Sequence, residues 1–139
     1  MEPSYEFFDH TADMGIRVRA RTLPELLMPA AEALYAAIGE LVACATTATI
    51  TFDSDGDEPA VLLRDFLTEL LILFEREKRR LVTVVESSFA AQRLTVTANI
   101  APVDVERSVF HREVKAITYH ELSIRAIPGG YEATFIVDI

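Results

Sequence analysis

The sequence has few of the residues that mark the common kinds of active site. Its 139 residues include one cysteine, Cys44, five glycines, three histidines and no tryptophan. A single cysteine excludes an internal disulfide and a cysteine cluster for zinc or an iron–sulfur centre. No glycine-rich phosphate loop occurs, and neither a G-x-S-x-G nor an H-E-x-x-H motif is present. The usual motifs of phosphate-loop, serine-hydrolase and zinc-peptidase chemistry are therefore missing.

Basic residues are fewer than acidic residues. The chain carries 13 lysines and arginines against 22 aspartates and glutamates, which gives a net charge of −9. Nucleic-acid binding depends mainly on neutralising phosphates with Lys and Arg, so this balance argues against autonomous binding of nucleic acid. The charge favours instead a basic protein partner or bound cations.

Long hydrophobic runs are missing as well. No stretch approaches the ~20 apolar residues that a membrane span needs. The start of the chain, residues 1–4, lacks the basic and apolar regions of a signal peptide. We therefore expect a cytoplasmic protein with no membrane association.

The sequence does contain enough apolar residues to build a core. Half of the 139 residues are hydrophobic, which favours one domain over residues 1–139. Alternating and β-branched segments predict strands. These segments are residues 5–9, 15–21, 46–52, 81–86, 93–100, 114–120, 122–127 and 131–138. In the second segment Ile16, Val18 and Ala20 alternate with arginines, which indicates one buried face and one basic face.

Two amphipathic helices are predicted between these strands. The first begins with a capping box, Thr22 and Glu25, and continues to Val42, with Pro29 expected to mark a kink or a later true start. The second covers residues 58–79 and has a wide apolar stripe. The order β-β-α-β-α-β-β-β-β-β predicts an α+β fold, in which mainly antiparallel sheet packs against the two helices.

Unusual polar residues sit near both ends of the chain. Asp9, His10 and Asp13 lie near the start, and Asp138 lies beside the α-carboxylate of Ile139. A fold that joins the two ends would gather several carboxylates, which repel one another unless a cation lies among them. All-oxygen ligands suit Ca²⁺ or Mg²⁺ rather than zinc. Taken singly, Asp13 is equally consistent with a turn residue, and Asp138 with a solvated acid at a strand end.

The acidic run at residues 53–57 resembles the start of an EF-hand loop. The pattern then fails, because the sixth position is Glu58 rather than glycine and the twelfth is Arg64 rather than glutamate. We interpret the run as an acidic loop that caps the second helix, with Asp57 near the N-cap.

The three histidines do not form a metal-binding pattern. His10, His111 and His120 lie far from one another in the sequence. His120 alone is consistent with a structural histidine at a strand end, and His10 with a local hydrogen-bond partner in a turn.

Four segments, in order, resemble the archease family. They are residues 9–18, the central helix at 59–71, the stretch 113–120 and the ending 135–139. The most specific are Asp-His-Thr-Ala-Asp at 9–13 and Val-Lys-Ala-Ile-Thr-Tyr-His at 114–120, whereas many amphipathic helices look like the central one. Together with Asp138, these segments extend the resemblance over essentially the whole chain.

The resemblance implies a small cytoplasmic partner protein rather than a stand-alone enzyme. Archeases assist the GTP- and manganese-dependent RNA ligase that seals tRNA halves in tRNA splicing and broken RNAs in RNA repair, by promoting its guanylylation and multiple turnovers. The family's metal site corresponds to Asp13, Asp138 and Ile139, the last through backbone or terminal carboxylate oxygens. The resemblance and the oxygen ligands lead us to expect Ca²⁺ there, with Mg²⁺ and Mn²⁺ as alternatives. Supporting or partner-contact roles are expected for Asp9, His10, Lys115 and His120.

Two other functions stay open on the sequence. One is a general chaperone-like module for tRNA-modifying enzymes such as a tRNA methyltransferase. The other is a metal-dependent hydrolase that uses the same carboxylates, although no convincing pair of nucleophile and base appears.

Overall fold

The computed structural model describes residues 1–10 and 13–139, without the side chain of residue 10. These residues form ten strands, two α-helices and one 3₁₀ helix. The strands are β1 (Ser4–His10), β2 (Asp13–Ala20), β3 (Gly39–Glu40), β4 (Ala48–Asp55), β5 (Arg79–Phe89), β6 (Arg93–Pro102), β7 (Val109–Phe110), β8 (Ala116–Ile117), β9 (Ser123–Ile127) and β10 (Gly130–Asp138). The α-helices are α1 (Leu27–Ile38) and α2 (Pro59–Glu77), and the 3₁₀ helix Pro24–Leu26 leads into α1.

The strands form two larger sheets and a short ribbon. The first sheet has the order β1-β2-β10, with β8 and β9 both pairing with the far side of β10. The second has the order β4-β6-β5, and β3 pairs with β7. All of these pairs are antiparallel. The predicted α+β class with mainly antiparallel sheet is therefore confirmed.

Both helices contact strands of both larger sheets. α1 packs against β1, β2 and β5, while α2 packs against β4, β5 and β6 on one side and β8 and β9 on the other. α1 is buried over most of its surface, with only Glu32 exposed. A helix that is apolar all round has to be covered on every side. The two sheets and the two helices consequently share one hydrophobic core. Neither helix in the part of the chain that the structure describes is long and apolar enough to cross a bilayer.

The start of α1 explains its internal proline. The Glu25 amide donates to Thr22 Oγ1 at 3.3 Å, which is one half of the predicted capping box. The α-helix itself begins after the 3₁₀ turn, so Pro29 falls in its first turn, where a backbone N–H has no helical acceptor. The later true start is therefore the correct alternative for Pro29.

The end of α1 differs from the prediction. The helix ends at Ile38 instead of continuing to Val42, because the backbone of β7 lies against Gly39. A Cβ at Gly39 would lie 2.0 Å from the Val109 carbonyl oxygen, so only glycine allows this approach.

The acidic run after β4 was also partly mispredicted. β4 continues through Asp55, and Asp53 pairs with Thr95 of β6 instead of lying in a loop. The N-cap of α2 is Glu58, so Asp57 lies next to the N-cap as predicted, but no side-chain hydrogen bond caps the helix. Cross-strand hydrogen bonds from Arg93 and Thr95 to Asp53 explain why this acid remains in the strand.

Other predicted boundaries shift by a few residues. α2 ends at Glu77, and its C-cap, Lys78, has a left-handed backbone conformation with φ 51°. β5 starts at Arg79. The predicted end of the helix and the predicted start of the strand were therefore both too far along the chain. The two-residue strands β3 and β7 were not predicted. The predicted strand 114–120 contains only β8. Such short pairings depend on neighbouring chain segments and leave little trace in the local sequence.

A buried tyrosine links α1 to β5. Tyr35 is 2% exposed, and its hydroxyl accepts a 2.8 Å hydrogen bond from the Leu81 amide. The Arg80 guanidinium lies 4.4 Å from the ring centroid and donates to the Leu41 carbonyl. Burial raises the pKa of Tyr35 to about 12, and the Leu81 hydrogen bond and Arg80 oppose this shift only in part.

We expect Tyr35→Phe to lower the free energy of unfolding at pH 7 by about 1–3 kcal/mol, because the Leu81 amide loses its partner. The folded pKa of Tyr35, about 12, lies above the ordinary value of about 10. The neutral phenol therefore stabilises the fold fully below pH 10, and this contribution is lost as pH rises from 10 to 12. Urea unfolding between pH 7 and 12 measures both effects. Tyr119→Phe, at an exposed tyrosine, is the control; a constant difference between wild type and Tyr35→Phe up to pH 12 would contradict the titration.

Candidate metal centre

Two aspartates face each other across the central strand pair of the first sheet. β2 and β10 run antiparallel, and their register places Asp138 directly opposite Asp13. Residues opposite each other on neighbouring strands point to the same face, with Cβ atoms about 4.5–5.5 Å apart. Both are half-buried. The fold thus brings together the acids from the two ends of the chain.

Asp13 belongs to a strand rather than to a turn. It is the first residue of β2 and pairs with His10 of β1. The side chain of His10, and residues Thr11 and Ala12 of the predicted motif, lie outside the described part of the structure. Asp138, the last residue of β10, is likewise held in the sheet.

An open cleft of about 420 Å³ lies beside Asp13. Its wall also includes Asp9, Ile139 and Arg112. Asp9 pairs with Met14, so its side chain lies on the other face of the sheet from that of Asp13. Both residues line the cleft, which therefore extends around the ends of the strands. Ile139 is exposed at the same edge. Three predicted residues, Asp9, Asp13 and Ile139, therefore line one cleft.

An aromatic side chain forms one wall next to the aspartates. Phe8 lies opposite Gly15, and its ring occupies the space above that glycine, since a Cβ there would be 2.3 Å from ring atoms. Arg17 then stacks on the other side, 4.6 Å from the ring centroid. Ile136, the other neighbour of Gly15, is fully buried. This apolar block separates the Asp13–Asp138 pair from the charged groups farther along the strands.

The stretch 114–120 holds the strand that carries Asp138. The Lys115 amide donates to the Asp138 carbonyl at 2.7 Å, and the Thr118 amide donates to Ile136 at 2.9 Å. From α2, Arg64 donates to the Ile117 carbonyl at 3.0 Å and stacks 4.2 Å from the Tyr119 ring centroid. These contacts fix the end of β10 in place, which gives this distinctive sequence stretch a positioning role.

Lys115 and His120 themselves lie outside the cleft beside Asp13. Lys115 is exposed and lines a neighbouring cleft with Lys78 and Arg112. His120 is exposed in the turn after β8, and its amide donates to Thr118 Oγ1. Neither side chain is among those that line the cleft beside Asp13.

Arg112 is a cleft residue that the sequence analysis missed. Its guanidinium donates to the Ala37 carbonyl and its amide to the Ile38 carbonyl, so it is anchored at the C-terminal end of α1. The C-terminal end of a helix carries partial negative charge, which favours a cation there. No motif marks Arg112, because its position depends on a contact with a helix about 75 residues earlier in the chain.

A charge network occupies the other end of the same sheet face. Glu132 is 4% exposed and accepts hydrogen bonds from Arg19 and Arg125, each at 2.7 Å. Burial by itself would raise the pKa of Glu132, but the hydrogen bonds from Arg125 and Arg19 outweigh it, and the pKa lies below its ordinary value. Glu132 is therefore a fixed anion, compensated by arginines on both neighbouring strands.

The donor set beside Asp13 is consistent with a hard cation. The carboxylates of Asp13 and Asp138 lie in register on adjacent strands. Asp13 and Ile139 line the cleft, whereas Asp138 is not among its lining residues. Among residues 1–10 and 13–139 there is no group of three or more His, Cys, Asp or Glu side chains placed to hold a metal ion. Mg²⁺ is commonly held by one or two carboxylates together with water or phosphate oxygens.

The fold and this site define an α+β protein with paired acids on adjacent central strands. The Archease protein family (MTH1598/TM1083) matches residues 5–139, so the chain belongs to the archease family. Among curated relatives, the archease of Methanopyrus kandleri is 32% identical over 97% of this chain and 99% of its own. The archease of Pyrococcus abyssi is 31% identical over 97% of this chain and 98% of its own. The resemblance found in the sequence is thereby confirmed.

Solved structures share this fold. The solution structure of Methanobacterium thermoautotrophicum protein 1598 matches with a TM-score of 0.77 and 27% identity, over 100% of both chains. The crystal structure of an archease from Thermotoga maritima, described as a possible chaperone, matches with a TM-score of 0.70 over 95% of this chain and 94% of that one. At 17% identity the second likeness concerns the fold alone.

Two acids on β10 allow a matched comparison of stability. In the presence of EDTA, we expect Asp138→Asn to raise the free energy of unfolding by about 0.2–1 kcal/mol, because like charges directly opposite each other repel. Glu132→Gln should lower it by about 1–3 kcal/mol, because charge-assisted hydrogen bonds from arginines are lost. Urea unfolding at pH 7 measures both changes. A loss of stability in both variants would show that Asp138 is not strained by its opposite acid.

Proposed function

We propose that this protein is a metal-binding accessory protein of a GTP-dependent RNA ligase in tRNA splicing and RNA repair, where it promotes guanylylation and turnover of the ligase. The observation that carries the proposal is the pairing of Asp13 with Asp138 in a member of the archease family. The metal ligands are Asp13, Asp138 and Ile139, and the ion is Ca²⁺, with Mg²⁺ and Mn²⁺ as alternatives. We place the protein in the cytoplasm with its ligase.

The paired acids suit delivery of a cation rather than its permanent enclosure. Two carboxylates and the oxygens of one further residue leave coordination positions for groups from outside the protein. Such an ion, when bound, would neutralise charge on phosphate oxygens of a nucleotide. The protein's own contribution is positional: the hydrogen bonds to β10 hold Asp138 in register with Asp13, and Phe8 shields one side of the pair.

The charge of the whole chain supports action through a protein. With a net charge of −9, it repels the phosphate backbone and attracts a basic partner such as an RNA-binding enzyme. We propose a protein cofactor without catalytic activity of its own. Metal-dependent turnover of RNA or phosphoesters by the isolated protein would favour the hydrolase hypothesis instead.

A second candidate function is a general chaperone-like role toward tRNA-modifying enzymes, including a tRNA methyltransferase. The description of the Thermotoga maritima protein as a possible chaperone favours it, although that statement concerns the other protein. The two proposals differ in partner: only the first requires that the ligase be the enzyme whose activity changes.

Guanylylation of the purified ligase from the same organism tests the first proposal. We expect Asp13→Asn and Asp138→Asn each to reduce stimulation of ligase–GMP formation by at least about tenfold, because an interaction with a metal-bound phosphate contributes more than 1.4 kcal/mol. Asp57→Asn, an exposed acid outside the cleft, makes the same change in net charge and should stimulate normally.

Binding of Ca²⁺ by the isolated protein is measured in parallel by isothermal titration calorimetry, with the same three variants. Full stimulation by folded Asp13→Asn and Asp138→Asn variants would refute the metal-centred mechanism. Stimulation of a methyltransferase but not of the ligase would favour the chaperone-like role.

A further inference from the structure

The two edges of the second sheet differ in how well they are protected. β5, at one edge, has irregular register between Leu81 and Thr83 and again between Val84 and Glu86, and the Leu81 amide is taken by Tyr35. Bulges and covering side chains are the usual means by which proteins prevent further strand addition. β4, at the other edge, pairs with β6 in unbroken register over all eight residues. Within the described part of the chain, no strand pairs with the outer side of β4.

A cleft follows this open edge. It has a volume of about 440 Å³ and is lined by five successive residues of β4, residues 50–54, by one side of α2 and, at its inner end, by Leu94 of β6. Successive residues of a strand point to opposite faces, so a cleft that touches five in a row approaches the strand along its edge rather than over one face. The space beside β4 is therefore where an added strand would lie, with α2 as its other wall.

The floor and rim of this cleft suit one kind of occupant. The floor is apolar, with Phe52 and Phe66 in edge-to-face contact at 5.5 Å between ring centroids. The residues that line the cleft include Asp53, Asp65 and Glu69 and, within the described structure, no Lys, Arg or His. Asp53 and Asp65 are each bound by a neighbouring arginine, but Glu69 is exposed on α2.

From this geometry we infer that β4 and α2 form a docking site for an extended basic segment of a partner protein, which adds to the sheet as a strand beside β4. Main-chain hydrogen bonds to the β4 edge supply affinity, and the apolar floor and acidic rim select alternating apolar and basic residues. A second copy of this chain is a poorer occupant, because each copy carries a net charge of −9. The inference does not rest on the proposed function or on the aspartate pair.

A synthetic nine-residue peptide that alternates valine and lysine tests the inference. The labelled peptide is titrated with the full-length protein in EDTA and followed by fluorescence anisotropy, so that metal binding plays no part. We expect saturable binding. In the complex we also expect protection from hydrogen exchange of the alternate amides of residues 48–55 that point away from β6. A peptide of the same sequence with alternate backbone nitrogens methylated should not bind, because it cannot donate to the edge of β4.

Two charge variants, one on the α2 wall of the cleft and one on the opposite edge strand β5, provide the matched control. Glu69→Lys on the cleft rim should raise Kd about tenfold, whereas Glu86→Lys on β5 changes net charge equally and should leave Kd unchanged. Absence of binding, equal weakening by both variants, or normal binding of the methylated peptide would overturn the inference. A stable dimer in sedimentation velocity, with the outward-facing amides of residues 48–55 already protected in the free protein, would overturn it in favour of a second copy.

Discussion

The antiparallel pairing of β2 with β10 is the contact on which the rest of this structure depends. It joins strands separated by more than a hundred residues, and its register runs from Ala20 and Tyr131 to Asp13 and Asp138. One face of the pair contributes fully buried residues such as Ile16 and Phe135 to the core beneath α1. The other face carries the Glu132 network at one end and the aspartate pair at the other. A shift of one residue in register would turn each of these side chains to the wrong face.

The contacts around this pair hold the two aspartates together in spite of their repulsion. The Lys115 amide and the Thr118 amide bind carbonyls of β10, and Arg64 ties the same segment to α2. The surrounding contacts are spread over the buried core and the segment after β7, so they determine the position of the two acids opposite each other.

Local patterns in the sequence were sufficient for some of these elements and insufficient for others. The alternation of Ile16, Val18 and Ala20 with arginines predicted β2 and its buried face, and the apolar stripe predicted α2. Asp13 and Asp138 drew attention because acids are unusual at such positions, but it was the resemblance to the archease family, and not the local pattern, that named them as a site. The pairing that sets them opposite each other could not be derived from local pattern, since it is a contact between distant segments. Arg112, Phe8 and the support from Arg64 were missed for the same reason. The misplaced end of α1 depended on β7, which touches Gly39 from far along the chain.

The position of β10 in chain order has a consequence for how this protein folds. β1 and β2 are neighbours in sequence and can form a hairpin early, but the apolar face of β2 gains its second neighbour only when β10 arrives. Pairings between distant segments carry a large loop-closure cost and slow the folding reaction. During synthesis, the emerging chain therefore has an incomplete central sheet until β10 leaves the ribosome. The two aspartates are placed opposite each other in the same event, so a chain that still lacks β10 does not bring them together.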